Sequence, residues 1–153
     1  MTTINHFYKG FLLTSALVLS LGLALNANAH TDEYLDTVAA PHGGQLRMAG
    51  ASHFELVVKN NELTIYLTDH AGTHIASAGA SGTATILSSK GKATVQLSPA
   101  GDNVLSGKGK FEAVPDMKII VSITQAGQSA QQARFTPLKK SAVAVDKPAK
   151  PSH

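Results

Sequence analysis

Histidine is the residue whose placement suggests chemistry. The chain has His6, His30, His42, His53, His70, His74 and His153, and no cysteine. Four of these fall between residues 42 and 74, and none between 75 and 152. Neutral imidazole is a common ligand for zinc, copper and nickel. Without thiolates, a metal site in this chain must use His, Asp, Glu or Met. Such a site loses its ion as the imidazoles protonate.

His70 and His74 are the closest pair, in Thr68-Asp69-His70-Ala71-Gly72-Thr73-His74. A two-residue turn at Ala71-Gly72 would set His70 opposite Thr73 and Asp69 opposite His74. Opposed side chains on a hairpin have Cβ atoms about 4.5–5.5 Å apart. Asp69 with His74, or His70 with His74 diagonally, could then share an ion, although turns are also polar for no functional reason. His53 and Glu55 alternate with Phe54 and Leu56, which puts both polar side chains on the outer face of a strand. They read as a ligand with a carboxylate beside it, or as an ordinary solvated pair. His42 lies in Pro41-His42-Gly43-Gly44, where two glycines let the backbone turn sharply and approach an ion or a partner. Removal of residues 1–29 would give His30 a free α-amine next to its imidazole, a copper-chelating pair. Asp32 rather than histidine would stand third, so the common amino-terminal copper motif is absent.

Other chemistries find less support. Met48 and Met117 are isolated, whereas a soft Cu(I) site wants several thioethers together, and both read as packing residues. Asp69, His70 and one of Ser77, Ser81 or Ser88 could form a triad on paper. No nucleophile elbow, HExxH helix or phosphate-binding glycine loop accompanies them, so the chain reads as non-enzymatic. No basic block of five or more residues occurs, which argues against nucleic acid.

The elements that must position these residues begin after an export signal. Lys9 precedes an almost unbroken apolar run from Phe11 to Leu25, and Ala27-x-Ala29 has the small-residue pattern that a signal peptidase cuts after. A membrane-spanning helix takes about 20 apolar residues, so cleavage is expected, with no membrane insertion afterwards. No cysteine follows, which excludes a lipoprotein. The remaining 124 residues carry 12 basic and 10 acidic side chains. They are one domain's worth of chain, with no disulfide to staple it.

Residues 30–40 lack periodicity and read as a flexible arm. From Gln45 apolar residues alternate with polar ones: Phe54, Leu56 and Val58; Leu63, Ile65 and Leu67; Ile119, Val121 and Ile123. Turn signals such as Asn60-Asn61, Lys90-Gly91 and Ala126-Gly127 separate the runs. This spacing predicts an all-β, antiparallel, immunoglobulin-like sandwich of about seven strands over residues 41–137. Residues 138–153 are rich in Lys, Ala and Pro and read as a disordered tail.

Pro41-His42-Gly43-Gly44, Gly50-Ala51-Ser52-His53-Phe54-Glu55-Leu56-Val57, Leu63-Thr64-Ile65-Tyr66-Leu67-Thr68-Asp69-His70 and Ala133-Arg134-Phe135 together resemble a group of small periplasmic proteins. These accompany heavy-metal efflux systems of the resistance-nodulation-division type. The same pattern is similar to an extra domain on some periplasmic adaptor subunits of those pumps. The resemblance covers roughly residues 41–137. It implies a periplasmic β-rich module that binds or hands over a divalent metal ion, copper or zinc first and cobalt or nickel next. It also implies His42, His53 and His70 as ligands, Glu55 as their neighbour, and an efflux adaptor subunit as partner. His74 rests on spacing alone. The rival expectation is a metal-free interaction module that docks on an adaptor or another envelope protein.

Overall fold

The computed structural model describes residues 32–139. The signal segment, His30 and the tail from residue 140 lie outside the described residues. One helical turn, α1 (Asp32–Leu35), is followed by eight strands: β1 (Gln45–Ala49), β2 (Ser52–Lys59), β3 (Glu62–Asp69), β4 (Ser81–Ser88), β5 (Gly91–Pro99), β6 (Val104–Lys108), β7 (Lys118–Thr124) and β8 (Gln131–Phe135). The strands fall where apolar and polar residues alternate. A period of two places every second side chain on one face of a sheet. That face is Phe54 and Leu56 in β2, Leu63, Ile65 and Leu67 in β3, and Ile119, Val121 and Ile123 in β7, all fully buried.

All pairings are antiparallel, and the order is β1-β2-β3-β6-β5-β4-β7-β8. Strands 4, 5 and 6 follow one another by hairpins, and β3 returns beside β6, which is a Greek key. The architecture is therefore all-β and antiparallel, as the alternation predicts, with eight strands. It differs from two separately paired layers in that β5 belongs to both sides. Gly91 to Leu97 pair with β4, whereas Ser98 and Pro99 pair with β6. The sheet thus turns a corner and curls until its outer strands meet. Thr136 N–H donates to Gln45 Oε1 at 2.8 Å across that seam. The result is nearly barrel-shaped, around one core that includes Phe54, Ile65, Leu105, Met117 and Phe135. Met117 is a packing residue here, as expected, whereas Met48 is only half-buried and stands on the outer face abreast of His53.

The segment before β1 is part of this structure. Leu35 is buried, and Asp36 accepts a hydrogen bond from Arg47 Nη1 at 2.7 Å. The chain expected as a flexible arm is thus anchored from α1 onward. It runs as a strap along β1 and turns back at His42–Gly44. At the other end, Leu138 packs against the core. Among the described residues no helix is long and apolar enough to cross a membrane.

Candidate functional site

The outer face of β1, β2 and β3 carries the site. Strand register fixes which side chains stand abreast. Leu46, Glu55 and Tyr66 form one row, and Met48, His53 and Thr68 the next. An isolated bridge pairs Thr68 with His74, which extends the second row. The strap crosses above these rows. Between strap and sheet lies a cleft of about 250 Å³, walled by Val38, Pro41 and His42 on the strap side and by His53, Tyr66 and His74 on the sheet side. Covered in this way, Glu55 and His53 are buried, although strand alternation alone assigns them to a solvated face.

Glu55 is the centre of the arrangement. One carboxylate oxygen accepts the His42 N–H at 2.8 Å and the Gly44 N–H at 3.0 Å. The other lies 2.8 Å from His42 Nδ1. An ionised carboxylate only accepts hydrogen bonds, so the pairing assigns the hydrogen of a neutral His42 ring to Nδ1. Nε2 is left with its lone pair. The ring is also stacked flat on Tyr66, with centroids 3.5 Å apart and planes 2° from parallel. Metal-ligating histidines commonly have this support, a carboxylate on the far ring nitrogen that fixes tautomer and orientation. The sequence pairs Glu55 with His53 as neighbours on one face. The structure gives the carboxylate to His42 instead, because the strap brings the Pro-His-Gly-Gly turn over β2. Gly44 is needed for that approach, since a Cβ there would overlap the Leu56 carbonyl oxygen.

His53 and His70 form the second part. Their ring centroids are 4.8 Å apart, edge to face. That separation and tilt are an ordinary edge-to-face contact between two rings.

The β3 hairpin departs from the two-residue turn expected at Ala71-Gly72. Asp69 N–H donates to the Thr73 carbonyl at 2.9 Å, and Thr68 pairs with His74. The loop is therefore His70-Ala71-Gly72, one residue longer, with Gly72 in the left-handed region at φ 82°. A three-residue loop that ends in such a residue is a standard hairpin connection. Asp69 explains the preference. Its Oδ1 accepts the N–H of Ala71 and of Thr73, each at 2.8 Å. The Thr73 N–H, followed by that of Ala71, holds the Asp69 carboxyl below its usual range. Asp69 is thus occupied with its own turn rather than standing opposite His74. His74 Nδ1 lies 3.6 Å from Asp102 Oδ2 instead, in the open.

The strap has its own anchor. Arg47 is buried, with 8 % of its side chain exposed, and faces Asp36 at 2.7 Å and Asp32 at 3.7 Å. The Arg47 guanidinium is the main reason that the Asp36 carboxyl is lowered from its ordinary value.

Of the residues singled out in the sequence, His42, His53, Glu55 and His74 line one cleft. His70 joins them through His53, Asp69 shapes the loop that carries His70, and His30 lies outside the described residues. Among the described residues no three His, Asp or Glu side chains form a preformed metal cage. Sequence reasoning missed Tyr66, Asp36, Arg47 and Asp102. Tyr66 has a signal, since its parity in β3 matches Thr68 and puts an aromatic ring on the outer face. The Asp36–Arg47 pair has none, because nothing local says where the arm lands. The chain matches no family model, no curated protein and no solved structure.

Proposed function

We propose that this protein is a non-enzymatic binder of a divalent metal ion of the zinc or copper type, acting as a carrier or buffer. The observation that carries the reading is the buried Glu55 carboxylate on His42 Nδ1, in the wall of a cleft that also holds His53 and His74. Supporting it, His42, His53 and His74 line one cleft and His70 lies against His53, although these four are spread over 33 residues of sequence. The ligand set would be His42 Nε2 with His53 and His70, and His74 at the rim. Water would complete the coordination. A set of three imidazoles, with water in the remaining positions, suits cargo that must be released. A closed four-ligand site suits structural metal.

The sequence resemblance extends the proposal to a periplasmic location after loss of residues 1–29, and to an efflux adaptor subunit as recipient of the ion. It also extends it to an immunoglobulin-like origin of the strand arrangement. The test is titration of purified protein with Zn²⁺ and Cu²⁺ by native mass spectrometry, with Co²⁺ absorption to report coordination number. One bound ion is expected, weakened at least about tenfold by His42→Ala or His53→Ala with the fold retained. No ion above nonspecific background would sink the reading and leave the metal-free docking module. If His30 were a ligand, trimming it would weaken copper alone.

A further inference from the structure

His42 differs from the other histidines of the cleft in one respect. His53 stands on β2, His70 follows β3 directly and His74 bridges to β3, whereas His42 is borne by the strap. The strap is attached to the sheet at two places. At one end Asp36 accepts hydrogen bonds from Arg47 Nη1 at 2.7 Å and from Gln45 Nε2 at 3.2 Å. At the other, His42 and Gly44 are held by Glu55, and the His42 ring lies on Tyr66. Between these points the described backbone bonds close local turns, Val38 N–H to the Leu35 carbonyl and Gly43 N–H to the Ala40 carbonyl. They do not extend a strand onto the sheet. Both attachments are made chiefly by side chains, so releasing them would leave the strand ladders intact. Local openings of this kind cost far less than global unfolding.

We infer that residues 36–44 act as a clasp that delivers His42 to the cleft, and that Asp36 and Arg47 are a positioning pair that sets how fast a bound divalent ion leaves. The inference rests on the proposed metal-binding function. An ion held by His42 and His53 adds a further tie between strap and sheet, at the His42 end. Binding then favours the docked strap, and by the same linkage a docked strap favours binding. An undocked strap carries one ligand away with it, which opens the route for release. Arg47 touches no ligand in this scheme. Its buried guanidinium fixes Asp36, and Asp36 fixes the strap.

The experiment follows Zn²⁺ release from the purified protein into excess chelator by stopped flow, together with amide hydrogen exchange across residues 37–43. Asp36→Ala is expected to speed release about tenfold, a change worth 1.4 kcal/mol, and to raise exchange in the strap of the metal-free protein. Zn²⁺ is expected to slow that exchange in the wild type. Asp36→Asn keeps the side-chain shape, guards against a folding defect and should change release in the same direction. Asp116→Ala is the control. It removes a carboxylate that accepts from Ser89 in a different turn, and should leave release unchanged. Stoichiometric zinc with an unaltered release rate in both Asp36 variants, or strap exchange that zinc does not slow, would overturn the clasp and leave metal binding standing. Failure of the wild type to bind zinc at all would overturn both.

Discussion

Replacement of Glu55 by Gln separates the roles of its carboxylate. Glu55 accepts three N–H groups, two from the backbone of the strap and one from the His42 ring. Gln keeps one oxygen, which can still hold the two backbone N–H groups. The other terminus becomes an NH₂, which can only donate. The His42 contact must therefore break or reverse, with Nδ1 as acceptor and the ring hydrogen moved to Nε2. Hydrogen bonds to a charged partner are worth about 1.5–3 kcal/mol, and those between neutral groups about 0.5–1.5 kcal/mol. Loss of charge assistance, about 1–1.5 kcal/mol per bond, thus costs about 3–4.5 kcal/mol over three bonds in a rigid site. The strap can admit water and relieve part of this, so about 1–2 kcal/mol is expected from the same values. At roughly 4 °C per kcal/mol the melting temperature falls by about 4–8 °C. Zinc affinity should fall further than stability, by about 10–100-fold, the usual cost of altering a carboxylate behind a ligating histidine. Circular dichroism gives the first number, chelator competition the second, and long-range nitrogen NMR of the His42 ring shows which nitrogen carries hydrogen. Glu55→Gln protein that keeps hydrogen on Nδ1 and binds zinc as tightly as wild type would refute the reasoning, whatever its melting temperature.

Two further substitutions and one pH dependence follow. Gly44→Ala would press a methyl group onto the Leu56 carbonyl and the Glu55 side chain. It should cost about 1–3 kcal/mol in urea unfolding and increase amide exchange in the strap before that of β3. Asp69→Ala frees the Ala71 and Thr73 N–H groups. It should loosen the His70-Ala71-Gly72 loop, read as faster exchange there and weaker zinc binding with the β7–β8 hairpin unchanged. The Asp36 carboxyl is lowered from 3.8 by its Arg47 hydrogen bond. A depressed folded value stabilises the protein above 3.8, and that contribution disappears as pH falls below it. The stability gap between wild type and Asp36→Asn should therefore be constant from pH 7 to 5 and shrink below pH 4 in urea titrations. A gap that widens in acid would contradict the assigned pairing.

The fold was largely legible in the sequence, because its signals are local. Alternation in Phe54–Val58, Leu63–Leu67 and Ile119–Ile123 is enough to assign strands and their buried faces. Hairpin turns at Asn60-Asn61, Lys90-Gly91 and Ala126-Gly127 make neighbours of consecutive strands. The return of β3 beside β6, and of β7 beside β4, is not encoded in any such stretch. Nor is the corner in β5, where Ser98 and Pro99 leave β4 and join β6. These depend on how a twisted sheet closes around its core, so the sequence leads to two layers where one curled sheet is found. The site divides in the same way. Histidine spacing singled out His42, His53, His70 and His74, and the structure places three of them in one cleft with His70 against His53. Their partners depend on where a segment without periodicity lands. Asp36 lies 11 residues from Arg47 and His42 lies 13 from Glu55, and no period of 2 or 3.6 links either pair. The strap was unreadable because what orders it is side-chain chemistry at its two ends. If the strap acts as the proposed clasp, this also lets it move without disturbing the strands beneath. A segment with its own helical or strand pattern would have been easier to read.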